Sequence, residues 1–309
     1  MKAIIYTSVF FLLLSCKNNN DVKQVEEEIN NEQMSTLKVD CPDYIFKNKE
    51  NNLNVSILLD LSDRIDELKY PNPTMEYVNR DLGNINTIAS NFIEHVQQKK
   101  IVLMNDEIQI YFEPEPQDQT INQKSKELRV SFSKNISKES IEKARQNYKK
   151  IPKEIYQLAK KEGKYLGSDT WRFFKDKVKR YCIDTCHRNI LIIFTDGYMY
   201  HEHTKIKEAN KRSYITPSVI RNLGLNKSDW KHRIEEKNIG FLPATDQLND
   251  LEVLVIGLEN HDKKNPYGQD VLHFFWKAWL EDMGVKKYEI YGADLPIHME
   301  KTISNFMLK

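Results

Sequence analysis

The stretch "ILLDLSDRID", residues 57 to 66, sets the reading of the whole chain. It closes a longer run, "NLNVSILLD" (52–60), rich in Val, Ile and Leu and bounded by Asn and Asp, which is the pattern of a buried strand. Asp60, Ser62, Asp63, Arg64 and Asp66 crowd just past its tip. In open α/β sheets ligands bind at the carboxyl ends of strands, so polar, ligand-capable side chains concentrated there mark a site.

The flanking sequence supplies the rest of such a sheet. "NILIIFTDG" (189–197) and "LEVLVIGL" (251–258) are nearly unbroken apolar runs, as expected of strands covered on both faces. "KIVLMN" and "EIQIYF" read as two short strands about a turn at Asn105-Asp106, and "KKYEIYGA" as a last strand. Between them, Ile85, Ile88, Ala89, Phe92, Ile93 and Val96 recur at helical spacing. "KESIEKARQNYKKIPKEIYQLAKKEG" reads as helix interrupted near Pro152. "SDTWRFFKDKVKRYC" opens on a Ser/Asp cap. "DVLHFFWKAWLEDMG" is an amphipathic helix with Gly284 near its C-cap, and "PIHMEKTISNFMLK" is a last helix. The stretch 198–249 is polar and predicts small helices at best. This alternation predicts an α/β fold: a three-layer, doubly wound, mainly parallel sheet over residues 51–309, with two insertions near 113–165 and 198–249. Asp60 and Asp196 then end two different strands.

Charge is balanced, with 46 basic against 45 acidic residues, which argues against a general nucleic-acid or anionic-membrane binder. The N-terminus is more specific. Lys2 precedes "AIIYTSVFFLLL", an apolar run of about a dozen residues, short for a bilayer span and typical of a signal segment. It ends in Leu13-Leu14-Ser15-Cys16, and the whole resembles a bacterial lipoprotein signal. That resemblance implies a signal peptide of 1–15, cleavage before Cys16 and lipidation of Cys16. Residues 16–50 are polar and read as a flexible tether. The expected location is the bacterial cell envelope, anchored by lipid to a membrane, with the outer membrane favoured and the domain facing the periplasm or the surface. Of the other cysteines, Cys41, Cys182 and Cys186, one pair is expected in this compartment, and spacing does not choose which. "CIDTCH" (182–187) has the look of a wide-spaced haem attachment motif but reads better as structural cysteines.

Three short motifs then fall together. Asp60-Leu61-Ser62-Asp63-Arg64 resembles the D-x-S-x-S motif of von Willebrand factor A domains, and Phe194-Thr195-Asp196-Gly197 resembles their T-D-G motif. "GSDTW" (167–171) opens a helix as that family's third loop does. The resemblance covers roughly 52–305. It implies a metal-ion-dependent adhesion site formed by Asp60, Ser62, Asp196 and a hydroxyl from Ser168 or Thr170. These hard oxygen donors suit Mg²⁺ or another divalent cation. Arg64 stands where the family has a second serine, and a guanidinium cannot ligate metal. His201-Glu202-His203 is a weaker Zn²⁺ or Cu²⁺ candidate.

The resulting expectation is a lipid-anchored envelope protein, not an enzyme, that recognises a protein partner over its metal-site edge. The alternatives are a structural subunit of an envelope assembly with a degenerate metal site, or a metal-dependent hydrolase. Cys16→Ser should move the protein from the membrane fraction to the soluble fraction on fractionation; persistence in the membrane would argue against lipidation.

Overall fold

The computed structural model describes residues 49–309 together with Cys41, Ile45 and Lys47. The signal peptide, Cys16 and most of the tether lie outside the described residues. In chain order the elements begin with β1 (Leu53–Leu59), α1 (Tyr77–Gln98), β2 (Asp106–Tyr111), α2 (Gln119–Glu127), β3 (Val130–Phe132) and α3 (Lys138–Glu162). They continue with α4 (Thr170–Asp176), α5 (Val178–Tyr181), β4 (Arg188–Phe194), β5 (Lys207–Glu208), β6 (Lys211–Arg212), α6 (Pro217–Asn222) and α7 (Trp230–Lys237). The last are β7 (Gly240–Phe241), β8 (Leu251–Leu258), α8 (Gly268–Asp282), β9 (Lys287–Gly292) and α9 (Pro296–Leu308).

Six strands form the central sheet in the order β3-β2-β1-β4-β8-β9. All neighbours run parallel except β3, which is antiparallel to β2. The chain therefore has an α/β fold with a mixed, mostly parallel central sheet. Every residue of β1 is buried. Val55, Ile57 and Leu59 enter one core with Ile85, Phe92, Ile155 and Phe306 of the helices, while Leu58 enters a second with Trp276 and Trp279. Covering on both faces is why β4 and β8 read as nearly continuous apolar runs, whereas β1 also buries the polar Asn54 and Ser56 between its apolar side chains. Fully burying each Val, Ile or Leu contributes about 1.5–3 kcal/mol. The three buried indoles each find an acceptor: Trp276 Nε1 donates to the Gly197 carbonyl at 2.9 Å, and Trp279 Nε1 and Trp171 Nε1 donate to the Leu242 carbonyl at 2.9 and 2.8 Å.

Several elements depart from the sequence reading. Residues 101–103 form a 3₁₀ turn instead of a strand, and Ile101 and Val102 are exposed. The strand starts only at Asp106, where the buried carboxylate accepts from Lys99 Nζ at 2.6 Å and from the Leu53 backbone N–H at 2.9 Å. Helix α3 runs unbroken through Pro152. Ile151, Pro152 and Ile155 are all buried, so packing of a long helix outweighs the one hydrogen bond that proline removes. The 198–249 stretch holds, besides α6 and α7, a small sheet of β5, β6 and β7. Cys41 and Cys186 are each disulfide-bonded, whereas Cys182 is a buried free thiol, pushed up to about 12 by burial. A Cys182–Cys186 bridge is thereby ruled out.

One buried network ties the tip of β1 to two helices. Arg64 Nη2 lies 2.5 Å from Asp81 Oδ2 of α1, and Tyr156 Oη of α3 donates to that same oxygen at 2.6 Å. Burial alone would disfavour the Arg64 charge, but the Asp81 carboxylate more than restores it, so the guanidinium stays protonated. Breaking a buried pair strands a charge in a dry interior, so Asp81→Asn should cost about 3–5 kcal/mol in chemical denaturation. A loss below about 1 kcal/mol, the range of exposed pairs, would mean that the network is not buried as described.

Candidate functional site

Parallel pairing sets the site. Leu59 lies opposite Phe194, and the Asp60 N–H donates to the Phe194 carbonyl at 3.1 Å. The next residues, Asp60 on one strand and Thr195-Asp196 on the other, therefore leave the sheet side by side. Asp60 Oδ1 accepts from the Ser62 N–H at 2.8 Å, and Oδ2 accepts from Thr195 Oγ1 at 3.1 Å. Asp196 Oδ1 accepts from the Tyr198 N–H at 3.0 Å. Gly197 comes next at φ +94°, a left-handed conformation that suits glycine, and a Cβ there would meet Leu258 Cγ at 2.9 Å.

The third loop comes from the start of α4. Asp169 caps that helix, accepting from the Arg172 N–H at 3.2 Å. Ser168 is pinned by a two-way bridge to Tyr200, with both N–H···O distances 2.9 Å. Its hydroxyl lies 3.3 Å from that of Thr170. Gly167, at φ +87°, lets the chain pass where a Cβ would sit 2.1 Å from the Tyr200 carbonyl oxygen. Ser62, Ser168 and Asp196 line one cleft of about 920 Å³, and Asp60 and Thr170 are buried beside them. The structure thus brings the loops bearing all five predicted residues to one edge of the sheet.

Arg64 does not occupy the space between the carboxylates. Its Nη2 is committed to Asp81, its Nε donates to the Asp60 main-chain carbonyl at 3.0 Å, and it stays 4.0 Å from Asp60 Oδ2. Burial lifts the Asp60 carboxyl above the ordinary aspartate range; Arg64 pulls it back, and the charge of Asp196 lifts it again. The residues fit a hard dication in two respects. Their donors are oxygens, and a cation between Asp60 and Asp196 would relieve both the desolvation and the like-charge repulsion. Among the described residues, no group of three or more His, Cys, Asp or Glu side chains is arranged for a metal, so a site here depends on hydroxyls beside the two carboxylates.

His261, Tyr70 and Tyr198 line this cleft and escaped the sequence reading. His261 Nε2 lies 2.7 Å from Asp196 Oδ2, and its ring is stacked against Tyr70 at 4.3 Å and Tyr198 at 5.5 Å. His261 stands three residues past the end of β8, so the strand-tip rule that singled out Asp60 applies to it equally. The His201-Glu202-His203 motif stands at a 3₁₀ turn, not on a strand. His201 Nδ1 lies 3.2 Å from Asp169 Oδ2, and the His201 and His203 rings meet edge to face at 5.5 Å. His201 thus braces the α4 cap.

No protein-family model matches this chain, and no curated protein matches it. Two crystal structures of the pilus adhesin SpaC from Lactobacillus rhamnosus GG are similar to it, one of them in the open conformation. Their TM-scores are 0.40 and 0.37, each at 11% sequence identity. They cover 83% and 84% of this chain but only 30% of the adhesin, so the chain spans less than a third of that protein.

The lifted Asp60 carboxyl has a thermodynamic consequence. A folded-state value above the ordinary 3.8 means that stability is fully held below 3.8 and is lost as pH rises through the folded value. Charged Asp60 is therefore a cost at neutral pH. In chelator, Asp60→Asn should raise the melting temperature at about pH 7, with the gain shrinking toward about pH 4. A lower melting temperature at neutral pH would contradict the assignment.

Proposed function

We propose that this chain is a lipid-anchored cell-envelope protein whose doubly wound domain, of the von Willebrand factor A type, recognises a protein partner at its carboxyl-end cleft. In this reading Asp60, Ser62, Asp196 and Ser168 or Thr170 hold a divalent cation, directly or through water, and a partner carboxylate completes its coordination. The observation that carries the reading is the pairing of Asp60 with Asp196. Two largely buried carboxylates end adjacent parallel strands, and the nearest guanidinium is spent on Asp81. Lipid at Cys16 and the 16–50 tether would hold the domain near a membrane while letting the cleft reach outward. The segments 113–165 and 198–249 act as insertions that shape the rim; Tyr165, Tyr200 and His203 all line the cleft.

A second reading is a partner-binding subunit with no metal. It is favoured by His261, which already gives Asp196 a hydrogen-bonding partner at 2.7 Å.

Calorimetric titration separates the two. Mg²⁺ or Mn²⁺ should bind saturably at one site, and Asp196→Ala should abolish that binding while leaving the folded circular-dichroism spectrum in place. Equal affinity in the variant would defeat the cation assignment. No binding in the wild type, with partner capture unchanged in chelator, would favour the metal-free reading.

A further inference from the structure

A second cleft, of about 400 Å³, lies over β2 and the connection from α5 to β4. None of its residues belongs to the carboxyl-end site. Its lining is rich in cations: Lys126 from the end of α2, Arg129 just beyond it, and Arg180 from α5. All three side chains are exposed, and among the described residues none makes an ion pair. Arg180 lies over the Tyr181 ring at 5.5 Å, which leaves its fork free to bind. Two carboxylates share the cleft, Glu107 and Asp184.

Asp184 is already engaged. Its Oδ1 accepts from the Cys186 N–H at 2.7 Å and lies 2.6 Å from His187 Nδ1. The imidazole beside it keeps the Asp184 carboxyl below the ordinary aspartate range, so Asp184 is a carboxylate and Nδ1 carries the proton between them. This fixes the ring and leaves Nε2 as the atom that can still act. His187 is only 5% exposed, lines the cleft, and its buried Nε2 has no hydrogen-bond partner. Buried polar atoms are nearly always satisfied, so an orphaned imidazole nitrogen beside three free cations points to a ligand.

We propose that this cleft binds a phosphate-class oxyanion, free phosphate or a phosphate monoester, gripped by Arg129 and Arg180 and met at its buried side by His187 Nε2. The chemistry suits both states of the ring. Neutral Nε2 accepts a hydrogen bond from a P–O–H group, and protonated Nε2 donates one to a P–O⁻ oxygen. Guanidinium forks match two phosphate oxygens at once, which a point-like ammonium cannot do. Glu107 opposes full anionic charge, so a partly protonated phosphate is preferred over sulfate, which has no proton to share.

The test is calorimetric titration of the full chain with inorganic phosphate and with glycerol phosphate at low ionic strength. One-site saturable binding is expected for at least one of them, with sulfate weaker than either binder. Arg129→Met and Arg180→Met alter exposed side chains, and each should weaken binding at least about tenfold. His187→Gln, which keeps a polar nitrogen but loses the imidazole's proton exchange, should weaken it as well. No saturable heat with either phosphate, or affinity unchanged in both arginine variants, would overturn the proposal, even if the buried histidine variant fails to fold.

Discussion

The parallel register of β1 on β4 governs the site. Pairing Leu59 with Phe194 sends Asp60 and Asp196 out of the sheet at the same level. A one-residue slip would turn every apolar side chain of β1 to the opposite face, so the two cores that clamp the strand hold the register firmly. The chemistry at the strand tips is therefore fixed by packing well below it: Val55, Ile57 and Leu59 on one face, and Leu58 on the other.

Electrostatics at the tips are set by where the nearest cation goes. By sequence alone, Arg64 replaces a hydroxyl ligand of the family motif, and its direction is open. In the structure it turns toward Asp81 and Tyr156 and holds the loop against α1 and α3. Asp60 is left desolvated beside Asp196, with hydrogen bonds from Ser62 and Thr195 and the Arg64 guanidinium 4.0 Å from its Oδ2. His261 is the one ionisable partner that Asp196 does meet among the described residues, and it sits in a stack of tyrosine rings. The structure shows an imidazole paired with one of the two carboxylates; a dication bridging them is the arrangement that the proposed function requires.

Much of this is legible in the residues. β4 and β8 announce themselves because strands buried on both faces carry little polar alternation, and β1 by its Val, Ile and Leu content between Asn and Asp. Asp60, Ser62 and Asp196 stand out because each lies just past a strand end, whereas Ser168 and Thr170 are singled out only by the resemblance of their loop to the von Willebrand factor A motif. The features that sequence does not reveal depend on distant contacts. Asp81 lies in the first turns of α1, and nothing local distinguishes it from a solvated helix acid; only folding brings Arg64 to it. Ile101 to Leu103 look like a strand by composition, yet the chain spends them on a turn so that Asp106 can reach Lys99. Pro152 signals a break, but the apolar stripe of α3 on both sides of it overrides that signal.

Whether Asp60 and Asp196 form a cation site at the sheet edge can be settled by anomalous diffraction from crystals grown with Mn²⁺. A single strong peak is expected between the two carboxylates, within coordination distance of Ser62 and of Ser168 or Thr170, with His261 displaced from Asp196. Density without an anomalous peak there at saturating Mn²⁺, and His261 still on Asp196, would contradict the cation site.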